Sequence, residues 1–144
     1  MLVKEIMSKN PACCTAETNL QEVAKMMLDN DCGAIPVVED NKHKRPIGVV
    51  TDRDITIRTV AVGDNPLTMS AKSVMTKNVF TVKAETSVEE CIKLMEENQV
   101  RRVPVVDENG SCIGMVAQAD VAIKADDSDA EDMVEEVSKA SSSN

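Results

Sequence analysis

The sequence is written twice. Lys4-Glu5-Ile6-Met7-Ser8-Lys9-Asn10 reads like Lys72-Ser73-Val74-Met75-Thr76-Lys77-Asn78, an offset of 68 residues from Lys4 to Lys72. The match returns at Ala16-Glu17-Thr18 against Ala84-Glu85-Thr86, and at Ile35-Pro36-Val37-Val38 against Val103-Pro104-Val105-Val106. After a loop two residues longer in the first copy, Ile47-Gly48-Val49-Val50-Thr51-Asp52-Arg53-Asp54 aligns with Ile113-Gly114-Met115-Val116-Ala117-Gln118-Ala119-Asp120. A repeat of this length is one supersecondary unit used twice, and one copy alone cannot bury both faces of a small sheet. The repeat divides the chain into a first copy over 1–58, a linker over 59–71, a second copy over 72–124 and a tail over 125–144.

Each copy has the same order of elements. Thr18-x-x-Gln21 and Thr86-x-x-Glu89 read as capping boxes opening helices. Their apolar residues recur at helical spacing: Leu20, Val23, Ala24 and Met27 in one, Val88, Cys91, Ile92 and Met95 in the other. Both helices are expected to end near an asparagine, Asn30 and Asn98. Short β-branched runs follow, Ile35–Val38 and Ile47–Val50, then Val103–Val106 and Ile113–Val116. A second helix begins after each glycine-led strand. The fold class is therefore α/β (α+β): two βαββα-type repeats with small sheets flanked by helices, packed about a pseudo-twofold axis. Clefts between the copies are the expected ligand sites.

Composition excludes several functions. No apolar run approaches the ~18 residues needed to span a bilayer, and Glu5 stands where a signal peptide would be apolar, so a cytoplasmic location is expected. The net charge is −9, and residues 125–144 carry seven acids against one lysine, so the acidity lies mostly in a tail with a Ser-rich, disordered end. Phe80 is the only aromatic residue, whereas single-strand nucleic-acid platforms stack bases on several. One histidine, His43, and no nucleophile elbow, phosphate loop or metal-spaced cluster leave no basis for catalysis or for a metal site. The five cysteines read as reduced thiols, with the neighbours Cys13 and Cys14 as the candidates for redox sensing.

The chemistry concentrates at two places. In Gly48–Asp54 a strand passes through Thr51 into a helix whose free N–H groups can receive a polar ligand. There the Asp54 carboxylate can accept hydrogen bonds from two adjacent hydroxyls, as acids do when they grip a ribose. Thr51-x-x-Asp54 is equally a plain helix cap. The second copy keeps Asp120 but has Ala117 in place of the hydroxyl, which a purely reciprocal cap does not explain. The other place is Arg101-Arg102, before Val103-Pro104. Two guanidinium groups there suit a phosphate, or else a solvated surface, and the first copy has Gly33-Ala34 instead.

The glycine-led motifs Gly48–Asp54 and Gly114–Asp120, with the strands Ala34–Val38 and Arg102–Val106, resemble CBS domains in tandem, often called a Bateman module. The resemblance covers residues 1 to about 124. It implies a stand-alone regulatory sensor, not an enzyme, that takes an adenosyl nucleotide (AMP, ADP or ATP) between repeats, with S-adenosylmethionine or NADH as further options and no resident cofactor. Carried over by residue, one site uses Asp54 on the ribose and Thr51 beside it, Val79 and Phe80 along the base, and Arg101 and Arg102, before Pro104, on phosphate. A second, weaker site uses Asp120, with Pro11, Ala12 and Ile35 around the base. Without the family, Phe80 reads as a core plug. The resemblance also implies a homodimer and an unidentified regulated protein. The alternative is a CBS-fold interaction protein that binds no nucleotide and acts through dimer surfaces and the acidic tail.

Overall fold

The computed structural model describes residues 1–77 and 79–124, so the predicted disorder at the end of the tail lies outside the described residues. The chain forms two compact units that do not coincide with the two copies in the sequence. One unit comprises Met1–Asn10, Phe80–Asn109 and the chain from Ile113, and the other comprises Pro11–Val79 with Gly110–Cys112. We call them the late unit and the early unit.

In the early unit, β2 (Cys14–Thr15) runs parallel to β3 (Ala34–Val38), which pairs antiparallel with β4 (Pro46–Thr51). Helix α1 (Leu20–Asn30) connects β2 to β3, and α2 (Asp52–Arg58) follows β4. In the late unit, β5 (Val82–Lys83), β6 (Arg102–Val106) and β7 (Cys112–Ala117) repeat the arrangement with α3 (Val88–Asn98) and α4 (Gln118–Lys124). There the sheet gains a fourth strand, β1 (Ser8–Lys9), antiparallel to β7.

The first few residues of each copy are therefore exchanged. Ser8 and Lys9, from the first copy, pair with Met115 and Gly114. Thr76, from the second copy, bridges Val49 through two backbone hydrogen bonds of 3.1 and 3.0 Å. The cores agree. Val3 and Ile6 are buried with Val82, Val88, Cys91, Ile92, Met95, Val103, Val105 and Val116 in the late unit. Their counterparts Ala71 and Val74 are buried with Cys14, Leu20, Val23, Met27, Ile35, Val37 and Val50 in the early unit.

Glycine makes the exchange possible. A Cβ on Gly48 would lie 2.8 Å from Met75 Sδ and 3.0 Å from the Thr76 carbonyl oxygen; one on Gly114 would lie 2.6 Å from Met7 Sδ and 3.1 Å from the Ser8 carbonyl oxygen. Only a residue without a side chain lets a second backbone lie so close to the strand.

Several expectations are corrected. The caps of α1 and α3 are Asn19 and Ser87, one residue beyond the predicted threonines; their side chains accept from Gln21 N and Glu90 N. Thr18 and Thr86 instead accept from Thr15 N and Lys83 N, which fastens the turn before each helix. The helices end at Asn30 and Asn98 as predicted. Each is followed by a left-handed residue, Asp31 or Gln99, and closed by Cys32 N to Met27 O or Val100 N to Met95 O, both 3.0 Å. Ala24 is exposed, whereas its counterpart Ile92 is buried. The predicted linker is part of the early unit: Leu20 N bonds Met69 O, Ala71 N bonds Thr18 O, and Thr59 is fully buried with its hydroxyl donating to Ile55 O.

Candidate functional site

Each unit has one junction where a glycine-led strand turns into a helix, with Thr51 and Asp54 at one and Asp120 at the other. In the early unit Thr51 caps α2. Its Oγ1 accepts from Asp54 N at 3.0 Å, and Asp54 Oδ2 accepts from Thr51 N at 3.0 Å, a complete capping box. Asp54 is only 9% exposed. Its other oxygen, Oδ1, faces Arg58 Nε at 3.9 Å, while Arg58 Nη1 donates to Val74 O at 2.9 Å. A carboxylate can accept about four hydrogen bonds, so the cap does not exhaust Asp54. Thr51, Val79, Pro11 and Ala12 are half-buried in this unit, and Ala12 packs against the core. Ile35 is fully buried in that core, so its side chain serves packing.

The late unit shows why Asp120 survives without a hydroxyl partner. Asp120 Oδ2 accepts from Ala117 N at 2.8 Å, so half of the box persists. That half is the carboxylate's own, which answers the puzzle raised by Ala117 in favour of capping. The start of β6 adjoins the same junction, with Gln118 N donating to Arg101 O at 2.8 Å. Arg101 is exposed and Arg102 half-buried, as is Phe80, which is therefore not a core plug. Pro104 is buried within β6.

The early unit makes the equivalent backbone bond, Asp52 N to Gly33 O at 3.0 Å, but with opposite chemistry around it. A Cβ on Gly33 would meet the Asp52 carboxylate at 3.0 Å. Where one junction offers two guanidinium groups, the other offers an acid. The sequence reading grouped Arg101 and Arg102 with Asp54; within the late unit they share a junction with Asp120.

Two other surface features are built from different residues. A cavity of about 290 Å³ in the late unit is lined by Thr81, Lys83, Thr86 and Glu90 among others and includes none of the predicted residues. One exposed group of metal-type ligands, Glu39, Asp40 and His43, is present among the described residues, with ligand atoms within 4.8 Å of one another. Glu39 already pairs with Arg45 at 3.0 Å, and the backbone N–H of His43, followed by its ring, holds Asp40 below its usual carboxylate range. No helix of the described residues is long and apolar enough to cross a membrane.

The five cysteines are free thiols, as expected. Cys13 and Cys14 are neighbours in sequence but not in environment. Cys14 enters β2 and points into the core, where burial pushes its thiol up to about 12. Cys13 turns the other way and meets Cys112, which sequence reasoning missed because the two are far apart in the chain.

Comparison with known proteins follows the same lines. The chain is 37% identical over 119 residues to hypoxic response protein 1 of Mycobacterium tuberculosis, covering 83% of this chain and 81% of that one. A Methanopyrus kandleri protein is 38% identical over 100 residues, and the match spans half of its length. A crystal structure of hypoxic response protein I with two coordinated zinc ions superposes with a TM-score of 0.73 at 36% identity, covering 85% of this chain and 97% of that one. The CBS domain pair of MJ0100 in complex with 5′-methylthioadenosine and S-adenosylmethionine gives 0.72 at 28% identity, covering 85% and 93%. Residues 3–58 and 71–127 each match the CBS domain, following the sequence repeat rather than the compact units. With two such matches and relatives of this identity, the chain belongs to the CBS-domain family.

Proposed function

We propose that this protein is a regulatory CBS pair that binds an adenosyl compound with residues from both repeats and has no catalysis of its own. The observation that carries this reading is the pair of strand-to-helix junctions, each holding a carboxylate at the same turn of a short helix, in a fold shared with a CBS pair solved with two adenosyl compounds. Thr51 and Asp54 form one candidate site, in the early unit that also holds Val79. Asp120, with Arg101 and Arg102 at the start of β6, forms the other. An adenosyl ligand places its ribose hydroxyls on the carboxylate and any phosphate on the guanidinium groups. An acid at Asp52 and no basic residue at Gly33-Ala34 favour an uncharged or cationic 5′ substituent at the Asp54 junction.

The early unit's surface supports self-association, because Leu28, Val60, Val62 and Leu67 are 57–79% exposed and offer apolar side chains for a second copy to cover. The same surface, and two carboxylates already engaged as caps, favour a second reading: a dimeric interaction protein that binds no nucleotide.

Thermal unfolding with AMP, ADP, ATP, S-adenosylmethionine, 5′-methylthioadenosine and NADH separates the two. A ligand at ~100 times its Kd adds ~2.7 kcal/mol, a rise of a few degrees at this size. The quantity to read is the ligand-induced increment, because Asp54→Ala and Asp120→Ala each also remove a cap and lower the starting Tm. Loss of the increment in either variant supports the sensor. Loss of the phosphate-dependent part in Arg101→Ala/Arg102→Ala places phosphate at those arginines. No increment with any compound establishes the interaction protein.

A further inference from the structure

One cluster is used by neither the fold nor the proposed ligand site. Cys13 lies just before β2, half-buried, with its Sγ 3.3 Å from the Pro11 carbonyl oxygen. Its side chain is hydrogen-bonded to Cys112, the first residue of β7, which belongs to the early unit although the rest of its strand does not. Cys112 is itself fixed by its N–H to Lys44 O at 2.8 Å, and the preceding Ser111 donates its hydroxyl to His43 O. Two thiols from distant parts of the chain thus meet, one fixed through its sulfur at Pro11 and the other through its backbone at Lys44. The second copy has Thr81 at the position of Cys13 and the first has Pro46 at that of Cys112, so the repeat itself does not call for this pair.

We propose that Cys13 and Cys112 form a reversible disulfide when the protein meets a peroxide, a covalent tie between the segment leading into β2 and the Gly110–Cys112 turn.

The surroundings suit the step. The hydrogen bond from Cys112, partly opposed by burial, and then the positive charge of Lys44 hold the Cys13 thiol below its ordinary value, which raises the fraction present as thiolate. The Cys13 thiolate attacks one peroxide oxygen, the O–O bond breaks, and a sulfenic acid and hydroxide result. The hydroxide takes the Cys112 proton and becomes water. The Cys112 sulfur then displaces hydroxide from the sulfenic sulfur, and that hydroxide leaves as a second water on protonation by solvent. The two thiols give up two electrons and the peroxide accepts them. Cys14 is unsuited to be the partner, because its thiol is sunk in the core and resists ionisation.

The test is hydrogen peroxide added to the native full-length chain, read by intact mass and by non-reducing peptide mapping. The expected result is a mass lower by two hydrogens, one cross-linked peptide joining Cys13 to Cys112, and full reversal by dithiothreitol. Cys13→Ser and Cys112→Ser each abolish the cross-link, and Cys32→Ser leaves it intact. Because Cys112 is buried, Cys13→Ser is the decisive variant, checked by an unchanged circular dichroism spectrum. The oxidised wild type should also unfold at higher denaturant than the reduced form, since the bond closes a long loop. A Cys13–Cys14 bond, a Cys32 bond between chains, over-oxidised Cys13 with Cys112 untouched, or zinc held by both thiols in the purified protein would each overturn the proposal.

Discussion

The two strand-to-helix junctions share a backbone and differ in chemistry. At Thr51–Asp54 a hydroxyl and a carboxylate complete each other's hydrogen bonds, and an acid, Asp52, crowds Gly33. At Ala117–Asp120 the hydroxyl is gone, the carboxylate still caps, and two arginines occupy the neighbouring strand start. Duplication kept what the helix needs in both places, a carboxylate on the first backbone N–H. It let vary what the helix does not need, the charge beside it. Where two copies of a fold diverge in charge but not in framework, the divergence points toward ligands rather than stability.

The largest test of that comparison goes to the shared framework. Gly48→Ala and Gly114→Ala each drive a methyl group into a methionine sulfur and a backbone carbonyl, and each should cost about 2–3 kcal/mol in urea unfolding. Hydrogen exchange should show which arm is released, residues 71–76 in the first variant and 3–9 in the second. Equal costs would confirm that the framework is shared. A cost below about 0.5 kcal/mol in one variant would show that its arm is held by something other than the close approach.

Next come the core thiols, which the copies hold at different places: Cys14 stands where the other copy has Val82, and Cys91 where it has Val23. Burial raises them to about 12 and about 11 from 9.0. Below pH 9 both states keep the proton and the stabilisation is complete. Above it the unfolded chain ionises first, so stability falls by up to about 1.4 kcal/mol per pH unit for each thiol, toward pH 12 for Cys14 and pH 11 for Cys91. Between pH 9 and 11 Cys14→Val and Cys91→Val should each remove half of that slope, and from pH 11 to 12 only Cys14→Val should flatten it.

The smallest effect is the cap itself. Thr51→Ala should cost about 1 kcal/mol, and Ala117→Thr should gain about 0.5–1 kcal/mol by restoring the missing hydroxyl. If Ala117→Thr gains nothing, the late junction differs from the early one in backbone as well as in side chains.

Much of this was legible in the sequence. Strand and helix positions followed from β-branched runs and helical spacing, and the acids at the junctions from the repeat. The caps slipped by one residue because Thr18-Asn19 and Thr86-Ser87 each offer two capping side chains, and only the backbone decides which of them turns back on the helix. Residues 59–71 read as a linker because Gly63, Asp64, Asn65 and Pro66 are turn formers, although turns bound to a core are as ordered as helices. The meeting of Cys13 with Cys112 left no local signal, since sequence separation hides a contact between strand ends. The exchange of the first residues was invisible for a different reason: a repeat looks the same whether each copy keeps its arm or gives it away.

That exchange makes the unit of inheritance differ from the unit of folding. A cut in the Gly63–Asn65 turn would separate the copies cleanly as sequence, yet leave one fragment without Ala71 and Val74 and the other without Val3 and Ile6. Neither fragment would hold a complete core, and only the mixture would, so each copy depends on the other to fold as these units do.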